Sequence, residues 1–396
     1  MTKRSPPART SGPRAVVVNP RDVNPCIDLA APGVRKLKAY QPGKPISELE
    51  REYGVRNVLK LASNENVLGP SPLALEALRS AVGDTWLYPD GAGYELKSAL
   101  AARHGVPQSW ITLGNGSNDV LVLLAEAFLT PDVEAIYSQY AFAVYPIAVQ
   151  ATGARACIAP AYPADHPMAL GHDLEAMAAC LSERTRLVFI ANPNNPTGTW
   201  LERDALRAFL DRVPSHALVV IDEAYSEYVT IPEYPDAIDW IAQYPNLVVT
   251  RTFSKIYGLA GLRVGYAVSR PEVADIVNRV RQAFNVSSLA QVAACAALRD
   301  QAHVRATREM NTRGLRDLSD AVRDIGLAHP PSMGNFLLLD LARPARPVYE
   351  ALLQEGIIVR PVANYDLPTH VRVTIGRPEH SARVVAALRK VLRPER

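Results

Sequence analysis

Cysteine is scarce in this chain: Cys26, Cys157, Cys180 and Cys295 are the four in 396 residues. They are scattered, with no C-x-x-C pair and no His/Cys cluster. Their spacing therefore indicates neither a disulfide framework nor a metal site, and reduced thiols in a cytoplasm are the expectation. An excess of one charge is also missing. Lys and Arg number 43 against 40 Asp and Glu, a net charge of +3, too small to argue for nucleic acid or a membrane surface as partner. No uninterrupted apolar run reaches membrane length. The segment Met1 to Arg21 holds no acidic residue but many Arg and Pro. Its apolar run Val16-Val-Val18 is too short for a signal-peptide core, and its prolines oppose the amphipathic helix of a transit peptide. Residues 1–25 are expected to form a disordered extension. No internal repeat is present.

What is there reads as a globular enzyme: 48% hydrophobic and 21% charged residues, on a chain long enough for a large core and more than one domain. Ser47 with Glu50 fits a capping box opening the helix Ser47–Tyr53. Pro72 to Val82 reads as a helix with Pro in its first turn. Strand and helix patterns then alternate. The strands are Trp110–Leu113, Ala135–Tyr137, Leu187–Ala191, Ala217–Ile221, Leu247–Thr250 and Arg263–Ser269. The helices are Asp119–Phe128, Phe142–Thr152, Leu174–Leu181 and Arg203–Val213. This alternation predicts a doubly wound, mostly parallel sheet with helices on both faces. Helices are predicted over Glu272–Phe284 and Ala290–Asn311. Beyond Arg313, strands Asn335–Asp340, Ile357–Arg360 and Val371–Gly376 interleave with helices Pro347–Glu355 and Glu379–Leu392. The domain reading is an arm at 26–60, a large α/β domain at 61–284 and a smaller α+β domain at 285–396.

Several short runs carry chemistry. In Thr250-Arg-Thr-Phe-Ser-Lys-Ile-Tyr-Gly-Leu-Ala-Gly-Leu-Arg-Val-Gly-Tyr266, a lysine sits beside small polar residues with Arg263 eight positions on. Such a lysine can bond a carbonyl carbon if its amine is held partly deprotonated, while Ser254 and Arg263 suit an anion. Gly114-Asn-Gly-Ser-Asn118 joins a strand directly to a helix. Glycines admit an anion close to backbone, and the helix start offers free N–H groups, so Gly116, Ser117 and Asn118 are candidates for a phosphate cup. A plain βα turn is the alternative. Asn192-Pro-Asn-Asn-Pro-Thr-Gly198 forms a rigid turn at the carboxyl end of a strand. Asp222-Glu-Ala-Tyr225 ends a buried strand, where a carboxylate needs a partner such as a pyridinium N–H, or else caps a helix. Tyr140 offers a ring for stacking or for core packing.

Taken together and in this order, these runs resemble the lysine signature, Asn-Pro-Thr-Gly turn and Asp-x-x-Tyr element of the fold-type I pyridoxal-phosphate aminotransferases, over roughly residues 26–395. Tyr40-Gln-Pro-Gly-Lys, Leu61-Ala-Ser-Asn-Glu-Asn, Leu87-Tyr-Pro-Asp-Gly, Asn335-Phe and Val371-Arg-Val-Thr-Ile-Gly are similar to the branch acting on histidinol phosphate. Ser-Gln-Tyr-Ala-Phe-Ala-Val-Tyr145 departs from that branch's usual Pro-Thr-Tyr-Gly-Met-Tyr. The resemblance implies that Lys255 bonds the pyridoxal phosphate and later carries the proton, with Asp222 on the pyridinium nitrogen and Asn195 and Tyr225 on O3′. It implies Gly116, Ser117, Asn118, Thr252, Ser254 and Arg263 around the phosphate, and Tyr140 stacked on the ring. Tyr88 is implied to reach the cofactor of a second subunit in a homodimer, and Tyr40, Asn195, Arg360 and Arg372 to line the substrate pocket. The implied reaction is transamination between L-histidinol phosphate and 2-oxoglutarate in the cytoplasm. An aromatic amino-acid aminotransferase, a related decarboxylase and a non-catalytic regulator are the alternatives. For the regulator, the N-terminal tail shows no helix-turn-helix pattern.

Overall fold

The structure is a computed structural model and describes residues 25–40 and 42–392. Apart from Pro25, the expected N-terminal extension lies outside the described residues. A seven-stranded sheet organises the larger unit. Its strands are β1 Ile111–Gly114, β2 Glu134–Ser138, β3 Arg155–Ala159, β4 Thr185–Ala191, β5 Leu218–Asp222, β6 Leu247–Thr252 and β7 Gly265–Ser269. Their spatial order is β1-β7-β6-β5-β4-β2-β3, and every pairing is parallel except the two that β7 makes. The central strands carry continuous apolar runs, with polar residues at their ends, because both faces are covered. Along β5, Val219 and Ile221 join one core while Val220 joins the other. Val188 and Ile190 alternate with Leu187 and Phe189 on β4 in the same way, as the two-residue period requires. Helices Ser117–Phe128, Val144–Thr152 and Pro271–Val280 cover one face, and Tyr94–His104, Arg203–Leu210 and Ser288–Arg299 contribute to the other.

A smaller antiparallel sheet follows, of β8 Phe336–Asp340, β9 Arg360–Pro361 and β10 His370–Thr374, in the order β9-β10-β8. Leu337, Leu339, Val371 and Val373 pack with Leu318, Leu352, Val384 and Leu388 of its helices. The arm joins this unit: Leu59–Lys60 pairs in parallel with Ile357–Ile358. No helix among the described residues is long and apolar enough to cross a membrane.

Four expectations are corrected. The helix at 46–53 starts at Ile46 with Pro45 as its cap and no side-chain capping bond, so Ser47 lies inside the first turn and the capping box is absent. Proline at that position presets the entry angle without a hydroxyl. The helix predicted over Ala290–Asn311 is two, Ser288–Arg299 and Gln301–Arg323. Asp300 (ψ 66°) breaks the first, and its carboxylate accepts from His303 N–H at 3.1 Å to cap the second. The helix predicted to Phe284 stops at Val280, and Phe284 takes a left-handed φ of 59°. Finally, Cys157 and Cys180 form a disulfide, with Cα atoms 6.0 Å apart. Strand β3 and the end of helix Leu174–Ala179 bring the two together across 23 residues, which linear spacing does not signal. The apolar side of Ser288–Arg299 (Ala290, Ala293, Ala294, Ala297) belongs to the large core, so we propose a domain boundary inside Gln301–Arg323 instead of at 285.

Candidate active site

The carboxyl ends of β4, β5 and β6 present Ala191, Asp222 and Thr250 as neighbours in register. In an open parallel sheet this edge is where ligands bind. A cavity of about 480 Å³ opens above it. Its lining includes Tyr40, Ser117, Asn118, Asn195, Asp222, Tyr225, Thr252, Ser254, Lys255 and Arg263. Most of the residues singled out in the sequence are thus brought together.

The anion cradle is built from two turns. Gly116 has φ 83°, which favours glycine, and a Cβ there would lie 2.5 Å from Arg263 Nη2. The guanidinium therefore rests against bare backbone at the start of the twelve-residue helix Ser117–Phe128, whose first N–H groups lack helical acceptors. Arg263 Nη1 donates to Ser254 Oγ at 3.2 Å, and Thr252 Oγ1 donates to Ser254 Oγ at 3.0 Å. Guanidinium, hydroxyls and helix N-terminus converge on one spot, a fit for phosphate.

Asp222 is 5% exposed. Burial pushes its carboxyl up to about 6, against the opposing pull of hydroxyls from Thr250 and Tyr145 and of the Lys255 charge. Lys255 Nζ donates to Ser63 O at 3.2 Å and sits 5.6 Å from the centre of the Tyr225 ring. Burial pushes its amine down to about 7, with Arg372 adding to the shift. A free amine near neutrality is a nucleophile and a base. Tyr225 is buried, its phenol is raised to about 12 by that burial, and its hydroxyl accepts from Asn64 Nδ2 at 2.9 Å. Cradle, buried carboxylate, free amine and phenol fit pyridoxal phosphate.

The remaining candidates divide. Arg372 is 7% exposed; it donates through Nη1 to Asn195 Oδ1 and through Nη2 to Ala62 O at 2.7 Å. Its Nε has no partner, and no carboxylate pairs with it among the described residues. Arg360 lies over the ring of Tyr40, a cavity-lining residue, at 5.6 Å. Tyr140 is half-buried and does not line the cavity; Phe142, two residues on, does. Tyr140 instead packs against the smaller unit beside Tyr365 and Leu367. Tyr88 is 83% exposed and stacks on Phe284 at 4.8 Å, away from its own chain's cavity.

Sequence reasoning missed four participants: Asn64, Glu65, Tyr145 and Thr250. Asn64 bonds Tyr225 and, through Thr374 Oγ1 and Asn335 Nδ2, the smaller unit. Glu65 lines the cavity and pairs with Lys60 at 2.5 Å. Asn64, Glu65 and Tyr145 lie in runs quoted for the resemblance but were given no role there, and Thr250 was signalled only by its position at the end of an apolar strand beside another strand ending in Asp. Behind the sheet, Glu223 and Arg251 form a buried pair at 2.6 Å, with Asp236 as the second partner of Arg251. Strand alternation sends these side chains to the face opposite Asp222 and Thr250.

A family model described as aminotransferase class I and II matches residues 56–388. The chain is 56% identical over 366 residues to histidinol-phosphate aminotransferase 2 of Methylococcus capsulatus, spanning 92% of this chain and 99% of that one. It is likewise 56% identical to histidinol-phosphate aminotransferase 2 of Pseudomonas aeruginosa, over 92% and 98% of the two chains. Among solved structures, histidinol-phosphate aminotransferase from Sinorhizobium meliloti in complex with pyridoxal-5'-phosphate superposes with a TM-score of 0.82 at 31% identity, over 91% of this chain and 96% of that one.

Proposed function

Because the chain belongs to the aminotransferases of class I and II, we propose that it is a pyridoxal-phosphate-dependent transaminase of histidine biosynthesis. It moves the amino group of L-histidinol phosphate to 2-oxoglutarate, giving imidazole acetol phosphate and L-glutamate. The relatives that carry this activity in their names match over nearly their full length.

Each role rests on placement around the cavity. Gly116, Ser117, Asn118, Thr252, Ser254 and Arg263 would hold the cofactor's phosphate, Asp222 its ring nitrogen, and Asn195 and Tyr225 its phenolic oxygen. Pyridoxal phosphate, when bound, supplies an electron sink for the pair left behind as the substrate's Cα proton departs. Lys255 takes that proton, because its amine is free near neutrality and faces the cavity. Asp222 would present a negative charge to the ring nitrogen and so favour a proton on it.

The observation that carries the substrate reading is Arg372: a buried guanidinium with one N–H unused and no carboxylate partner among the described residues. Leaving that charge uncompensated is costly, and an incoming anion removes the cost. A planar fork accepts either a carboxylate or a phosphate, so one arginine serves glutamate in one half-reaction and the phosphate ester in the other. Tyr40, which lines the cavity, and Arg360 over its ring would reach phosphate oxygens. We further propose a homodimer, in which Tyr88 enters the second subunit's site. The exposed apolar run Trp86, Leu87, Tyr88 and the neighbouring Phe284 support the dimer as a surface to be covered.

The test is a panel of amino donors in spectrally monitored half-reactions. Histidinol phosphate should give the highest kcat/KM. A wide preference for phenylalanine or tyrosine would replace this reading with an aromatic amino-acid aminotransferase, and loss of carbon dioxide from the substrate with a decarboxylase.

A further inference from the structure

Tyr145 poses a question that the reaction above does not answer. It is fully buried, on helix Val144–Thr152, and it does not line the cavity. A phenol in a core needs a partner for its hydroxyl, and phenylalanine would fill the same space without that need. The ring is held on two sides. It stacks on Phe189 at 4.8 Å and 12°, and meets Phe142, a cavity-lining residue, edge-on at 5.9 Å. So fixed, its hydroxyl donates to Asp222 Oδ2 at 3.0 Å. From the neighbouring strand, Thr250 Oγ1 donates to Asp222 Oδ1, also at 3.0 Å. The two carboxylate oxygens thus each accept one hydroxyl, from opposite elements.

We propose that Tyr145 is a positioning residue that, with Thr250, clamps the Asp222 carboxylate in one orientation and keeps it ionised beneath the cavity. The inference rests on the assignment of Asp222 to the cofactor's ring nitrogen. Each carboxylate oxygen retains acceptor capacity after one bond, so the clamp leaves room for that N–H. Orientation matters because a carboxylate free to rotate in its pocket would present the wrong lone pair. Charge matters because burial opposes it. The groups facing Asp222 include Thr250 on β6, Tyr145 on its helix, the Lys255 amine, the Tyr225 phenol and the backbone N–H of Ala224. Tyr225 and Tyr365 face Tyr145 in turn. Burial and the Asp222 charge hold the Tyr145 phenol well above its ordinary range, so it remains a donor throughout the working pH.

The experiment uses apoprotein and pyridoxal phosphate as probe. The dissociation constant is measured against pH by fluorescence, and the Asp222 carboxyl is titrated by difference infrared spectroscopy, with Asp222→Asn as reference. Tyr145→Phe should weaken binding about tenfold or more and move both the acid limb of binding and the carboxyl titration up by about one pH unit. Tyr145→3-fluorotyrosine, which keeps the shape and strengthens the donor, should move them down. If Tyr145→Phe does not fold, the fluorotyrosine protein decides. Unshifted titrations in the folded variants would overturn the proposal. Wild-type binding by Asp222→Asn would instead overturn the cofactor assignment, while the infrared titration of the apoprotein would still report whether Tyr145 acts on Asp222.

Discussion

Arg360 and Arg372 are register partners on the antiparallel strands β9 and β10. Like charges directly opposite each other destabilise a ladder, and here the two guanidinium groups engage different neighbours, Arg372 bonding Asn195 and Ala62 and Arg360 lying over a tyrosine ring. Arg372 is the buried member, and Arg360 lies over the Tyr40 ring.

Replacing Arg372 by Lys keeps the charge but removes the fork that reaches Asn195 and Ala62. Loss of a charge-assisted bond costs about 1.5–3 kcal/mol, roughly ten- to a hundredfold. Steady-state kinetics of Arg372→Lys should show kcat/KM falling by that factor for glutamate and for histidinol phosphate together. Tyr40→Phe should hurt histidinol phosphate more. If Arg372→Lys spares both donors, the substrate's anion is held elsewhere, with Arg360 next in line.

The depressed Lys255 amine gives a stability signature. Its folded value is about 7 against an ordinary 10.5. Below pH 7 the folded state must hold a buried charge. Between 7 and 10.5 the unfolded chain binds the extra proton, so wild-type stability rises with pH by at most about 1.4 kcal/mol per pH unit. Apoprotein Lys255→Met should therefore melt higher than wild type at pH 6, with the gap shrinking toward pH 10. A gap independent of pH would show the amine to be unperturbed. In the loaded protein, borohydride should fix pyridoxal phosphate to Lys255; a label mapped to another lysine would refute its role.

Gly116→Ala adds a methyl group at φ 83° and into Arg263. A backbone at φ 83° and ψ 162°, a region essentially reserved for glycine, alone costs an L-residue about 1–3 kcal/mol. Affinity for pyridoxal phosphate should drop about tenfold or more, measured by equilibrium titration of the apoprotein. Unchanged affinity would mean the phosphate does not sit in this cradle.

Subunit mixing tests Tyr88. Lys255→Ala and Tyr88→Phe proteins should each be impaired alone. Mixed dimers should regain part of the activity, because one of their two sites holds both wild-type residues. No recovery after verified exchange would assign Tyr88 to its own chain.

The motifs that line the cavity were readable because each is local: a glycine turn before a helix, an aspartate ending an apolar strand, a lysine among small residues. The mostly parallel sheet was readable for a related reason, since strands covered on both faces carry unbroken apolar runs before their polar ends. What was not legible is what folding brings together from afar. Tyr145 and Asp222 stand 77 positions apart, and nothing in either neighbourhood predicts their bond. The Cys157–Cys180 pair likewise depends on how β3 lies against a helix end. Tyr140 has the right type and place in the order of motifs, yet Phe142 takes the cavity wall, because the turn after β2 decides which ring faces inward. Asp300 is an ordinary polar residue in a helical pattern until its carboxylate caps the following helix.

The donors and acceptors around the cavity are also ordered in time. Every residue placed on the cofactor within its own chain, from Gly116 to Arg263, leaves the ribosome before β9 and β10 exist. Arg372 then closes the site by reaching back across 310 positions to Ala62, while Thr374 locks Asn64 over the same interval. On the assignments proposed above, a nascent chain carries its cofactor-holding surface first and its substrate-selecting one last. Truncation near the C-terminus would strip selectivity from a chain that still carries its cofactor cradle.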